Sequence, residues 1–190
     1  MQEFKIVEAS TEHFEAISEI HNSHVYDAAK VKQNRFLIAK ISPEDIAQQL
    51  AKATQYFVAL DSQSHVLGLV SISRPHITEE FIQQVTWANQ SWIDQILSDR
   101  HIYINTLGIH NQHQGKGIAQ QLYRSLYQRF PGACFSAFVV TRPVLNERSL
   151  AFHEKQGFRN VGTFARDTFL NFQNYASALL VLDQSQPGKI

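Results

Sequence analysis

A predicted strand, a glycine turn and an amphipathic helix follow one another between residues 101 and 130, and this succession constrains the fold most. Residues 101–109 are rich in isoleucine and read as a strand, and Gly115-Lys116-Gly117 leads straight into the helix. Apolar residues recur along that helix at four-residue steps, as on a buried helix face. They are Ile118, Leu122, Leu126 and Phe130.

The glycine turn has the chemistry of a phosphate site. Glycines let the backbone approach a ligand without an intervening Cβ, and the first N–H groups of a helix lack internal partners at the positive end of its dipole. Lys116 can add charge at the rim. The turn is not a Walker loop, because Gly follows Lys116, and the third glycine of the dinucleotide motif is missing. A helix entry without a ligand is the remaining alternative.

The other predicted elements mix strands and helices in an order that indicates an α/β or α+β domain with a mixed sheet. Helices are expected around 14–20, after the Ser42–Asp45 cap, and over 147–156. Residues 21–40 are interpreted as a loop and a short second helix, and 75–100 as a helical insertion. Strands are expected at 4–8, 56–60, 66–73, 133–140, 158–164 and 178–182.

Composition sets the class of protein. The 190 residues predict a single domain over 1–184, with the insertion at 75–100 and a C-terminal tail at 185–190. Seventeen basic residues balance 17 acidic ones, so the net charge favours neither nucleic acid nor an anionic membrane as a partner. No apolar segment resembles a signal peptide or a membrane span. The single cysteine, Cys134, fits a reducing compartment, so we expect a cytoplasmic protein.

Two stretches resemble the GNAT superfamily of acyl-CoA N-acyltransferases. The family's cofactor signature, Gln/Arg-x-x-Gly-x-Gly/Ala, fits Gln114–Ala119 at every specified position. The segment Asn146–Phe158 is similar to the family's Asn-x-x-Ala/Ser-x-x-Phe/Leu-Tyr-x-Lys-x-Gly-Phe. A predicted strand separates the two stretches, as in the family. The resemblance is good over 103–158 and poor over 75–100.

The resemblance implies a fold and a donor. The fold is a mixed, mostly antiparallel sheet with helices on both faces, in which the strands at 102–109 and 133–140 form a splayed central pair. The donor is acetyl-CoA, with no metal and no covalent enzyme intermediate, so Cys134 is interpreted as a buried strand residue. A backbone N–H near Leu107 would polarise the thioester carbonyl. The implied cofactor-binding residues are Leu107, Gly108, Ile109, Gln114, Gly115, Lys116, Gly117, Ile118, Ala119, Asn146 and Ser149.

Two departures from the family concern catalysis. His153 stands where the family commonly has a tyrosine acid, and Asn105 where many relatives carry a glutamate base. Roughly a quarter of an unshifted histidine is protonated at pH 7, so His153 could be an acid, a base, a hydrogen-bonding group or a solvated helix residue. We take acid assistance to thiol departure as the hypothesis. An amide cannot accept a proton, so Asn105 or Thr106 would hold a relaying water, and no base is assigned.

The acceptor is left open. We expect acetyl transfer to a primary amine of a small molecule or a protein. The alternatives are another acyl chain, a hydroxyl acceptor, or a CoA-binding module without catalysis. Residues 21–26 lie in the family's acceptor-facing region. Trp87 and Trp92 of the insertion would form a lid over the acceptor, a homodimer contact, or part of the local core.

Overall fold

The computed structural model describes residues 4–27 and 36–185. Within these ranges the chain forms a mixed, mostly antiparallel sheet whose eight strands follow the order β1-β2-β3-β5-β6-β8-β7-β4. The strands are β1 (Lys5–Glu8), β2 (Gln55–Leu60), β3 (Val66–Ser73), β4 (Val85–Trp87), β5 (His101–Ile109), β6 (Cys134–Arg142), β7 (Arg159–Phe169) and β8 (Phe172–Asp183). The helices are α1 (Phe14–Ser23), α2 (Pro43–Ala51), α3 (Glu79–Gln84), α4 (Ser91–Leu97), α5 (Ile118–Arg129) and α6 (Glu147–Lys155).

The chain divides into two compact units, and the first holds the described residues of 4–27, 36–74 and 104–131. Here β1, β2 and β3 pair antiparallel, with Val58 opposite Leu69. Helices α1 and α2 bury one face in a cluster that includes Ile17, Ile46 and Leu69. Helix α2 begins as its sequence predicts, because the Ser42 hydroxyl accepts from Asp45 N–H at 3.1 Å.

The second unit holds the described residues of 75–103 and 132–185. Strand β5 pairs in parallel with β6 through His101–Tyr103, and β6, β8, β7 and β4 pair antiparallel. Arg100 Nη1 donates to Asp183 Oδ1 at 3.0 Å and to Gly132 O at 2.7 Å. These bonds tie the start of β5 to the end of β8.

The insertion at 75–100 contains a strand that the sequence analysis interpreted as helix. Strand β4 lies between α3 and α4 and pairs with β7, where Trp87 faces Gly162. Both tryptophans pack against a buried cluster that includes Val85 and Ile96, and the Trp87 indole N–H donates to Ile82 O at 2.9 Å. The interpretation of the two tryptophans as part of the local core is therefore confirmed.

Two other boundaries differ from the sequence prediction. Strands β7 and β8 extend to a tight turn at Leu170, whose φ is +50°, and so form a longer hairpin than expected. Helix α1 continues to Ser23, while residues 36–40 form a bridge and a bend rather than a helix. Residues 28–35 of the segment interpreted as a loop and a short second helix lie outside the described residues, as does the tail beyond 185. Over the described ranges, no helix is long and apolar enough to cross a membrane.

Candidate functional site

Two glycines bring β3 and β5 into close contact in the first unit. A Cβ added at Gly68 would lie 2.6 Å from Ile109 Cδ1, 3.0 Å from Gly108 O and 3.3 Å from Ile118 Cγ2. A Cβ at Gly108 would meet Ile20 Cγ2 at 3.3 Å. Gly68, whose side chain is a single hydrogen atom, thus packs against the backbone of Gly108, the side chain of Ile109 and the first residue of α5.

The strand ends in a short turn built from its own polar residues. His110 N–H donates to Leu67 O at 2.9 Å, and His113 N–H donates to His110 O at 2.9 Å. The Gln114 amide then donates to Asn111 Oδ1 at 2.8 Å. These bonds fix the loop from β5 to the glycine turn without a ligand.

The glycine turn has the geometry that the sequence predicts. Gly115 and Gly117 have φ of +75° and +80°, a conformation that residues with a Cβ adopt only at a cost of roughly 1–2 kcal/mol. Gly117 is the N-cap of α5 and has no side chain to accept from the first-turn N–H groups. Those groups of a 12-residue helix are therefore directed at whatever anion enters the turn.

Lys116 stands at the exposed rim of the turn. Its ammonium lies 3.2 Å from His113 Nδ1 and donates to it, since the ammonium has no lone pair. Desolvation, followed by the Lys116 and His110 charges, lowers the pKa of His113. His113 is thus favoured in its neutral form beside the cation. Ile118 is buried and Ala119 half-buried, which anchors the helix start to the sheet.

The end of helix α1 contacts the predicted cofactor strand. His24 Nε2 lies 2.7 Å from Ile109 O, and since a carbonyl only accepts, the imidazole donates. One lone pair of the Ile109 carbonyl is therefore occupied by protein. Leu107 is half-buried, and Asn105 is exposed with its Oδ1 accepting from the Ser73 hydroxyl at 3.0 Å.

In the second unit, α6 carries the other motif. Asn146 is the buried N-cap of the helix, and its N–H donates to Val140 O at 2.9 Å. Ser149 is half-buried on the first turn. Gly157 ends the helix with φ of +89°, and Phe158 N–H donates back to His153 O at 3.0 Å. The Gly-Phe pair of the motif is thus a helix stop.

His153 is buried, with 4% of its surface exposed, which contradicts the solvated interpretation. Its ring lies edge-on to Phe152 and Phe158, at centroid distances of 5.7 and 5.1 Å. Nδ1 donates to Ser149 O at 2.7 Å, so the neutral ring has its proton on Nδ1 and an acceptor at Nε2. Burial lowers the pKa of His153, although the bond to Ser149 raises it.

Cys134 is buried in β6, and burial raises its pKa to about 12. A thiol with such a pKa is a poor nucleophile at neutral pH, which agrees with its interpretation as a strand residue. Among the residues the structure describes, no group of three or more His, Cys, Asp or Glu side chains is arranged to hold a metal ion.

Each unit therefore contains some of the predicted site residues. Asn105, Leu107–Ile109 and the loop Gln114–Ala119 lie in the first unit, and Asn146, Ser149 and His153 lie in the second. Gly68 and the bond from His24 are not among the features predicted from the sequence. A glycine inside a predicted strand is a signal of close backbone approach, whereas nothing local marks a contact between residues 85 positions apart.

Comparison with known proteins gives a family and a fold. The model of the Acetyltransferase (GNAT) family matches residues 26–158. The solved structure of yncA from Salmonella typhimurium, with its cofactor acetyl-CoA, has a TM-score of 0.63 at 17% identity, covering 99% of this chain and 98% of that one. Among curated sequences, none matches.

Two further solved structures have a similar fold. Arabidopsis thaliana NAA60, in complex with a bisubstrate analogue, has a TM-score of 0.66 at 17% identity, with coverage of 95% and 98%. The spermidine N-acetyltransferase SpeG of Vibrio cholerae has a TM-score of 0.63 at 18% identity, with coverage of 96% and 94%. At these identities the likeness concerns the fold alone.

Proposed function

Because the chain belongs to the Acetyltransferase (GNAT) family, we propose that it is an N-acetyltransferase that uses acetyl-CoA to acetylate a primary amine. The observation that carries the proposal is the glycine turn. Gly115 and Gly117 adopt positive φ, and Gly117 caps α5 without a side chain. This arrangement leaves first-turn N–H groups of α5 available to phosphate oxygens.

The residues of the first unit would hold the donor. The first-turn N–H groups of α5, with Lys116 at the rim, would bind the pyrophosphate. The backbone of Leu107, Gly108 and Ile109 would bind the pantetheine arm, with the Ile109 carbonyl already shared with His24. Acetyl-CoA supplies an activated acetyl group as a thioester. A backbone N–H of this strand would polarise the thioester carbonyl.

The amine would attack the acetyl carbon directly, so that a C–N bond forms as the C–S bond breaks. His153 is the proposed aid to departure of the thiol. Because its neutral form has an acceptor at Nε2, the proton it gives must come from the protonated ring. Burial reduces the population of that ring. The dependence of turnover on His153 should therefore increase as the pH falls.

The acceptor proposed is an amine on a small molecule or a peptide. SpeG, whose fold is similar, is named a spermidine N-acetyltransferase, and spermidine is a small-molecule amine. A cytoplasmic location is proposed together with it, supported by the single cysteine being a buried free thiol.

Thiol release from acetyl-CoA against a panel of polyamines, amino acids and peptide N-termini tests the function. The expected result is release with at least one amine, and acetyl-CoA binding by calorimetry. Binding without release on any acceptor would favour a CoA-binding module, an alternative that the exposed amide of Asn105 supports. Thiol release with alcohols alone would show that the acceptor is a hydroxyl group rather than an amine. Thiol release from longer acyl-CoA alone would show that the transferred group is not acetyl.

Replacing His153 by Ala tests the acid separately. The expected result is a loss of turnover that is larger at pH 6 than at pH 8, with acetyl-CoA binding retained. Turnover that is unchanged across this range would remove His153 from the reaction. The matched control is His65→Ala, because His65 is an exposed histidine of the β2–β3 turn.

A further inference from the structure

A cavity of about 520 Å³ opens in the first unit beside the predicted cofactor strand. Its walls come from the end of α1, from residues 37–41, from α2 and from β5. Asn105 and Thr106 form the β5 wall. This wall offers hydrogen bonds but no base. The cavity lining also includes the imidazole of His21 and the carboxylate of Asp45.

His21 has a defined tautomer in this cavity wall. Its Nε2 lies 2.9 Å from Ala39 O. A carbonyl only accepts, so Nε2 carries the hydrogen atom and Nδ1 of the neutral ring has the lone pair. His21 is 7% exposed, and its Nδ1 is buried with no hydrogen-bond partner among residues 4–27 and 36–185. A buried acceptor in this condition is rare in native proteins and requires an explanation.

The neighbouring residue holds the segment that orients His21. The Asn22 amide donates to Ile41 O at 2.8 Å, and Asn22 Oδ1 accepts from Ile41 N–H at 2.9 Å. The side-chain amide of Asn22 thus bonds both the N–H and the C=O of Ile41. This pair of bonds fixes residues 39–41 against α1. The Ala39 carbonyl, and with it the ring of His21, therefore has one orientation.

The charged groups around His21 favour its neutral form. Burial lowers its pKa most, the bond to Ala39 raises it, and His24 on the same helix lowers it. Lys40, in the segment between α1 and α2, and Lys52, which follows the last residue of α2, also line the cavity. Asp45 is the carboxylate there, but it is exposed and its Oδ2 accepts from Ser42 N–H at 2.8 Å as part of the helix cap. One Asp45 oxygen therefore belongs to the helix cap, whereas the buried Nδ1 of His21 has no hydrogen-bond partner among the described residues.

We propose that His21 is the general base of the reaction, taking at Nδ1 the proton of an amine bound in this cavity. The inference rests on the proposed acetyl transfer. The amine nitrogen forms a bond to the acetyl carbon, the C–S electron pair leaves on sulfur, and the proton lost by nitrogen goes to Nδ1 directly or through one water. Because Nδ1 is buried in the free protein, the His21 side chain must turn far enough to present this atom to the cavity when the amine binds. No further reactant is needed. The departing sulfur takes its own proton from His153 or solvent.

His21→Gln tests the proposal, since glutamine can still donate to Ala39 O but cannot accept a proton. With the amine found by the acceptor panel, kcat should fall by about 10²–10⁴-fold, while the KM for acetyl-CoA stays within about twofold of the native value. The acidic limb of the kcat/KM profile should disappear. Asn105→Glu, added to His21→Gln, should restore kcat at least tenfold, because it places a carboxylate on the same cavity.

The matched control is His13→Gln, because His13 is also buried but lies outside this cavity, with its Nδ1 accepting from Ser10 N–H at 2.9 Å. It should keep kcat and the acidic limb. A folded His21→Gln that binds acetyl-CoA and turns over normally overturns the proposal. A second outcome also overturns it: His21→Gln lowers kcat, the added Asn105→Glu does not restore kcat, and the acidic limb of the kcat/KM profile persists.

A second measurement covers the case in which His21→Gln does not fold. The ¹⁵N imidazole shifts of His21 in the native protein should show a protonated Nε2 and an unprotonated Nδ1 at pH 7. The opposite tautomer, or a charged ring, overturns the proposal. If the native protein releases no thiol with any amine, the proposed function fails and this inference with it. If the native protein turns over and only the His21 results fail, the proposed acetyl transfer is retained and the role of His21 as the base is rejected.

Discussion

Replacing Gly68 by Ala tests whether the backbone of β5 holds the donor. The added Cβ would lie 2.6 Å from Ile109 Cδ1, about 1 Å closer than the ~3.5–4.0 Å at which carbon atoms pack. A change of the Ile109 rotamer relieves that contact. The Cβ also lies 3.0 Å from Gly108 O, which is backbone. Strand β5 itself must therefore shift by a few tenths of an ångström.

Two effects follow, and they can be measured separately. Overpacking of a core costs about 1–3 kcal/mol, which in a chain of this size lowers Tm by roughly 2–4 °C per kcal/mol. A shifted Gly108–Ile109 backbone would also weaken a hydrogen bond to the pantetheine arm, worth about 0.5–1.5 kcal/mol. The KM for acetyl-CoA should then rise about 2- to 10-fold. Thermal unfolding and thiol release, both on the same preparation, give the two quantities.

Gly132→Ala is the control. Gly132 has φ of +74°, and no described atom lies within 4 Å of its added Cβ. Its replacement should cost about 1–2 kcal/mol of backbone strain and leave the KM for acetyl-CoA unchanged. A Gly68→Ala protein that loses stability with an unchanged KM would refute the assignment of the donor to this strand. An equal rise of KM in both variants would show that stability alone is responsible.

The remaining predictions concern charge, the thiol and pH. Lys116→Ala should raise the KM for acetyl-CoA about 1.4- to 5-fold at low salt, an effect of ~0.2–1 kcal/mol that salt screens; a KM independent of Lys116 at every salt concentration would contradict its role at the rim. Cys134→Ala should keep its turnover, and thiol reagents should leave the folded protein unmodified, because the pKa of Cys134 is raised to about 12; inactivation by such reagents in the native state would contradict this. Burial lowers the pKa of His21 and of His153, so the unfolded chain binds more protons once the pH falls below ~6.5. Their contribution to stability is complete above that pH and is lost below it, so Tm should fall between pH 7 and pH 5, and a Tm that rises toward acid would contradict the burial of both rings.

The site elements that the sequence predicts are those specified by local chemistry. The glycines at 115 and 117 adopt the positive φ that their turn requires, and α5 buries Ile118, Leu122 and Leu126 as its four-residue spacing predicts. A left-handed turn and a periodic apolar face each depend on a few neighbouring residues, so a single sequence is enough to find them.

The elements that the sequence hides are set by distant partners. Strand β4 is three residues long, and Val85 faces Phe164 of β7, nearly 80 positions later. Between two short helices, its apolar residues have a spacing that also suits a helix, so periodicity cannot separate the two states. Pairing with β7 decides the outcome, and the tryptophan indole, bonded to Ile82 O, fixes the turn before it. The tautomers of His21 and His153 are hidden for the same reason, since backbone carbonyls that fold next to them decide them.

The last turn of α1 joins the two halves of the proposed chemistry within one unit. Asn22 and His21 hold residues 39–41, which border the cavity proposed for the amine. One turn later, His24 Nε2 donates to the carbonyl of Ile109, on the strand proposed to hold the donor. His24 also accepts Leu37 N–H at its own carbonyl, at 2.8 Å. Residues 37–41 and β5 are thus both hydrogen-bonded to the same end of α1. Acceptor binding and donor geometry in this chain are therefore expected to depend on each other, even though their residues lie far apart in the sequence.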